Sequence, residues 1–191
     1  MDSKTLIRNH LDEAHAIEAA LVTNLAAHIT QTPDPEYRAL LQRHLEETRG
    51  HLKAVEKRRD ALGGSGRGVI AGTVGLARDV IGQVLVLTKG PIDALRTPSA
   101  EERMLKNARD ECATEAIEIA VYDALETVAK AAGDRVTAKL ARDHRADEEK
   151  MLADLRATIT TLAVAAYESR TGDNAKPQVK AAATRKAASV G

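Results

Sequence analysis

Apolar side chains return at alternating steps of three and four residues along four stretches of this chain, which gives each a single buried helical stripe. Over residues 3–29 the stripe reads Ile7, Leu11, Ala14, Glu18, Leu21 and Leu25. Over 35–62 it reads Tyr37, Leu41, His44, Thr48, His51 and Val55, with Glu47 at its edge. A third runs through Met104, Ala108, Glu111, Glu115, Glu118, Tyr122, Leu125 and Ala129. The fourth joins Glu148 to Leu152, Leu155, Ile159 and Leu162, with His144 flanking it one turn earlier.

Local chemistry marks where these helices begin and end. Asp34 suits an N-cap and Pro35 the first helical position after it. The glycines at 63, 64 and 66 stop the second helix. Ser99 and Glu102 stand at capping-box spacing. Gly133 closes the third helix, and Asp134 caps a fourth that runs to about residue 166.

The two halves repeat, ungapped, at an offset of 100 residues. Ala16-Ile17-Glu18-Ala19-Ala20-Leu21 returns as Ala116-Ile117-Glu118-Ile119-Ala120-Val121, and Asp34, His44, Glu47 and Val55 map onto Asp134, His144, Asp147 and Leu155. Solenoid units recur at far shorter periods. The expected fold is therefore all-α: two related helical hairpins, 3–62 and 99–166, closing into a four-helix bundle. Between them, residues 63–98 form a crossover. Val69, Ile70, Val74, Ile81, Val84 and Leu85 predict an extra apolar helix there, while Arg78 and Asp79 at its centre argue against a membrane span.

Composition narrows the picture. The 191 residues hold no Trp or Phe, so the core must be small and aliphatic. Basic and acidic residues balance at 28 each, so no global charge points to nucleic acid or an anionic membrane. A single cysteine, Cys112, excludes an internal disulfide and suits a reducing, cytoplasmic setting. Residues 169–191 read as a disordered, basic, Ala/Lys-rich tail; a weak tail contact through Lys176, Lys180, Arg185 and Lys186 is the one nucleic-acid contact expected.

The chemistry lies in the acids inside the stripes. Ionised carboxylates cannot stay in an apolar core without pairing, protonating or binding metal. In an antiparallel hairpin turning near residue 32, Glu18 stands level with Glu47; in the second, turning at Gly133, Glu118 stands level with Asp147 and Glu148. His44 and His144 lie within a turn of that plane. The candidate metal ligands are thus Glu18, His44, Glu47, Glu118, His144, Asp147 and Glu148. Glu115 fits either a ligand or an acceptor for a ligating histidine. Glu111 reads as a rim acid, and His51, opposite Met151 in the repeat, is held in reserve.

The stretch Glu115–Tyr122, the Ala132-Gly133-Asp134 turn and His44–His51 together resemble the YciE/YciF-type ferritin-like family. The resemblance implies a ferritin-like bundle, often dimeric, with a rubrerythrin-type di-metal position and a stress-related role. It makes Glu18 and Glu118 the single acids of the first and third helices. Ferritin-like second and fourth helices carry Glu-x-x-His, whereas here the order is His44-x-x-Glu47 and His144-x-x-Asp147. Three functions fit: a protein holding two iron or manganese ions and handling O₂, peroxide or iron; a non-catalytic dimer with a vestigial site; and a nucleoid-associated relative using its tail.

A homodimer is expected, because one bundle face cannot cover an apolar crossover helix, while Ile117, Val121 and Val128 offer a stripe turned away from Glu118. Replacing Val80 and Val84 with Glu should give monomers or aggregates by light scattering. A wild type that is monomeric at tens of micromolar would defeat the assignment.

Overall fold

The computed structural model describes residues 2–63 and 98–172. Four helices span them: α1 (Ser3–Gln31), α2 (Pro35–Ala61), α3 (Ala100–Ala131) and α4 (Arg135–Thr171). Each starts where a side-chain oxygen accepts a backbone N–H that has no partner within the helix. Asp2 takes that of Thr5, Asp34 that of Tyr37, Ser99 that of Glu102 and Asp134 that of Thr137. The Ser99–Glu102 box is complete in both directions. At the α1–α2 corner, the Arg38 guanidinium donates to the Thr32 carbonyl and holds the turn closed.

The fourth helix outlasts the sequence expectation and runs to Thr171, where Gly172 takes the left-handed conformation at φ +70. Its extra turn has partners. The Ser169 hydroxyl donates to Ser99 at 2.9 Å, and Arg170 pairs with Glu102 at 3.2 Å. Tertiary contact with the start of α3 thus supports a turn that local pattern alone does not.

α1 pairs with α2 and α3 with α4 as antiparallel hairpins, and α1 packs on α3 to join them. The predicted stripes of α1, α2 and α3 are buried throughout. In α4 the stripe is rotated: Met151, 2% exposed, and His144 lie in the seam, while Leu152 and Ile159 are half-buried. The core falls into two aliphatic plugs. The upper one packs Leu21, Leu25, Tyr37, Leu41, Met104 and Leu155; the lower one packs Ile7, Leu11, Val55, Leu125 and Ala141. Arg58 of α2 ties down the lower end by donating to Asp134 and to the Thr137 hydroxyl at the start of α4.

The extra helix expected in the crossover lies outside the described residues, as does the expected tail from residue 173 onward; residues 169–171, read from sequence as tail, are the last turn of α4. Part of the stripe expected to face a second copy is already used within the chain. Ile117 and Val121 pack against Ile17, Ala16 and Ala20 of α1, at the seam between the hairpins. Among the described residues, no helix is long and apolar enough to cross a membrane.

Truncating Leu125, fully buried in the lower plug, to Ala should cost about 2–5 kcal/mol of unfolding free energy in a urea titration. Val136→Ala, on the surface at 62% exposure, should stay within about 0.5 kcal/mol. Equal effects would mean that the plugs are not close-packed.

Candidate metal centre

Between the plugs lies a layer of polar side chains with almost no solvent exposure. α1 gives Glu18, α2 gives His44, Thr48 and His51, α3 gives Glu115, Glu118 and Tyr122, and α4 gives His144 and Glu148. These positions are consequences of helical spacing: each residue occupies a seam position where a leucine would otherwise sit. Three ligand groups arise, each with donor atoms within 4.8 Å of one another. They are Glu18, His51 and His144; Glu18, Glu118 and Glu148; and His44, Glu115 and Glu148. Glu18 and Glu148 each belong to two groups, so the three form one connected set.

The hydrogen bonds are unevenly shared. His51 is the hub: its Nδ1 lies 2.8 Å from Glu148 Oε1 and 3.5 Å from Glu18 Oε1, and its Nε2 lies 3.2 Å from Asp147 Oδ2. Its ring stacks on that of His144, with centroids 4.0 Å apart. The Tyr122 hydroxyl donates to Glu18 and stands 3.1 Å from His144 Nδ1. By contrast, both oxygens of Glu118 and Oε2 of Glu18 are buried without a partner. His44 Nε2 stands 3.0 Å from Glu115 Oε1, yet neither atom forms an aligned hydrogen bond.

Charge follows this geometry. Burial, together with the neighbouring carboxylates, holds Glu115 and Glu118 well above the ordinary carboxylate range. Burial also raises Glu18, opposed by its contacts with His51 and Tyr122. For His51 burial works against the charge, but the bonds from Glu148 and Glu18 outweigh it and raise the imidazole to about 11. His144 goes the other way: burial and the adjacent His51 charge lower it to about 3. Burial likewise lowers His44. One imidazolium therefore stacks on one neutral imidazole.

Five of the seven candidates from the sequence, Glu18, His44, Glu118, His144 and Glu148, meet in this layer. Glu47 does not: it is exposed and lines a surface groove with Ala39, Gln42, Arg43 and Glu46. Asp147 is half exposed and reaches the layer only by way of His51 Nε2. Both stand one residue from the inward position, and a 100° step along a helix turns them outward. Glu115 and His51 join the layer instead. The 100-residue offset carried the signal for His51. Thr48-x-x-His51 maps onto Glu148-x-x-Met151, so the Glu-x-x-His spacing is split, with its histidine in α2 and its glutamate in α4. Thr48 spends its hydroxyl on the His44 carbonyl at 2.9 Å.

Two hairpins closing on one layer of carboxylates and imidazoles define a ferritin-like four-helix bundle. The chain belongs to the family described as a domain of unknown function, DUF892, whose model matches residues 3–168. Solved structures share its fold. A protein from Xanthomonas campestris pv. campestris is 22% identical, with a TM-score of 0.67, over 88% of this chain and 98% of that one. The E. coli stress protein YciF is 21% identical, with a TM-score of 0.64, over 85% and 98%. YcfI, a putative structural protein from Rhodopseudomonas palustris, is 19% identical, with a TM-score of 0.60, over 82% and 94%. No curated protein matches.

The titrations fix a stability profile for metal-free protein. Groups that hold protons more tightly when folded (Glu18, Glu115, Glu118 and His51) make the fold less stable as pH rises. For His51 the loss begins above its unfolded value near 6.5 and continues toward about 11. His44 and His144 do the reverse: they are buried neutral, and their stabilisation is lost as pH falls below about 6.5. Thermal unfolding with chelator present should therefore show stability rising as pH drops from about 9 to about 6.5, and rising more slowly or levelling from there to about 5, where the two neutral histidines oppose the three raised carboxyls. A midpoint that climbs steadily with pH across the alkaline range would contradict the buried layer.

Proposed function

We propose that this protein is a ferritin-like metal-binding protein whose central layer holds two iron or manganese ions, in a stress-related role handling O₂, peroxide or iron. The observation that carries the reading is the sharing of Glu18 and Glu148 among three overlapping ligand groups. A carboxylate common to two groups would be available to both ions. The mixture of carboxylate and imidazole donors suits iron and manganese.

The unsatisfied atoms support the same reading. Buried polar atoms are rarely left without partners, yet here Glu118, Glu115, Glu18 and His44 all carry them at one level of the bundle. A divalent cation would satisfy them together. Glu18, Glu118 and Glu148 would hold the shared centre, with Glu115 and His44 on one flank and His51 and His144 on the other. Bound ions of this kind supply Lewis acidity and one-electron redox chemistry.

The chain's own groups would act around them. Tyr122 orients Glu18 through its hydroxyl and keeps His144 in reach. Asp147 links His51 to the surface, so a proton leaving His51 has an exposed carboxylate beside it. The two plugs keep bulk water from both ends of the layer. The E. coli relative of similar fold is named a stress protein, which accords with peroxide or iron handling. A homodimer remains part of this proposal, with the crossover as its expected contact.

One observation favours a second reading, a non-catalytic bundle with a vestigial site. His51 already pairs with Glu18 and Glu148, and an imidazolium can balance carboxylates without metal.

Metal content decides between them. Protein purified without chelator and loaded with Fe²⁺ or Mn²⁺ should hold about two ions per chain by mass spectrometry. Loading near pH 7 should also release protons, because His51 and the raised carboxyls must lose theirs to bind. Glu118→Gln should lose at least half the metal, and Glu47→Gln none. Unchanged content in both Glu18→Gln and Glu118→Gln would reject the metal centre.

A further inference from the structure

The upper plug is crossed by a polar line. On α3, Glu111, Glu115 and Glu118 follow one another at steps of four and three residues on the buried face, about 6 and 4.5 Å of rise apart. Glu118 and Glu115 belong to the central layer. Glu111 stands one turn above Glu115, among the residues of the upper plug, and is 1% exposed. One of its oxygens contacts Nδ1 of His28, near the end of α1; the other, Oε2, is buried without a partner.

A second helix supplies an independent unpartnered group. Tyr37, near the start of α2, is 3% exposed, and its hydroxyl has no hydrogen-bond partner. Tyr37 packs in the same cluster as Ala108 and Cys112, the residues that flank Glu111 on α3, and burial raises its phenol, with the Glu111 charge adding to the shift. Neither atom is needed for packing, since a Leu or Phe would fill the plug without stranding a polar group. His28 is the outward member of the set, with 17% of its side chain exposed. A part-exposed imidazole, a buried carboxylate with one oxygen unpartnered and a buried, unpartnered phenol thus stand together above the layer.

We propose that His28, Glu111 and Tyr37 form an outer station for a divalent cation, from which the Glu111–Glu115–Glu118 ladder passes it to the central layer. The inference rests on the reading of that layer as a metal centre. Glu111 receives the hydrated ion from His28 and exchanges water for carboxylate oxygen. Glu115, one turn below, draws it inward. Occupancy of the station is transient, because its ligands are fewer than those of the layer beneath.

Uptake kinetics test this. Metal-free full-length protein is mixed with Co²⁺ alone, and the growth of its visible absorption is followed by stopped flow, with final stoichiometry from equilibrium dialysis. Glu111→Gln keeps the shape of the side chain and removes its charge. It should reach the wild-type stoichiometry about tenfold more slowly, as expected for loss of one charge-assisted contact on the route. His28→Gln, at a partly exposed helix end where folding is tolerant, should also slow uptake, and the double variant should be no slower than Glu111→Gln. Wild-type rates in both single variants would overturn the station while leaving the centre standing. So would equal slowing by Glu46→Gln, an exposed acid remote from the route, since only bulk charge would then be at work. A wild type that takes up no Co²⁺ would overturn the metal centre and the station together.

Discussion

Buried carboxylates must find a proton, a cation or a hydrogen bond, and the rest of this structure is arranged around that demand. Glu18, Glu115, Glu118 and Glu148 share one level of a bundle that otherwise buries leucine, alanine and methionine. Removing each charge from water is worth several kcal/mol against folding. The described residues meet that demand in three ways. His51 stays charged between Glu148 and Glu18, Tyr122 donates to Glu18, and Glu115 and Glu118 hold protons well above their ordinary range. The aliphatic plugs above and below supply the burial that lets the bundle tolerate such a layer.

The same arrangement makes the layer responsive. On the proposed reading of the layer as a metal centre, carboxyls and an imidazolium that keep protons in the core would exchange them for a divalent cation. Stability and binding are then linked: what destabilises the metal-free layer at alkaline pH is what would favour metal there. His144 fits this logic. Held neutral by burial and by the charge of the stacked His51, it keeps a nitrogen lone pair available.

The two halves are alike in register but not in chemistry. Glu18 and Glu118 agree, as do His44 and His144. Positions 48 and 51 carry Thr and His, whereas 148 and 151 carry Glu and Met. Because the helices are antiparallel and share one layer, the histidine kept in α2 meets the glutamate kept in α4 across 2.8 Å. The two incomplete halves supply one complete Glu and His pair in space.

The sequence by itself determined the helices, their caps and nearly all of their buried faces, because hydrophobic period and capping chemistry are local. Asp34, Ser99 and Asp134 start helices as their spacing requires, and every seam residue read in α1, α2 and α3 is buried. The acids that interrupt those seams were legible for the same reason. What only the tertiary structure decided is how the helices are rotated and levelled against one another. A helix turns about 100° per residue, so a one-residue error in facing separates exposed Glu47 and Asp147 from buried Thr48 and Glu148. The same rotation put Met151 in the seam in place of Leu152. The partners of each buried atom were likewise beyond local pattern: His51 between two carboxylates, and Glu111 joined to a histidine 83 residues away, follow from packing four helices together and from nothing nearer in the chain.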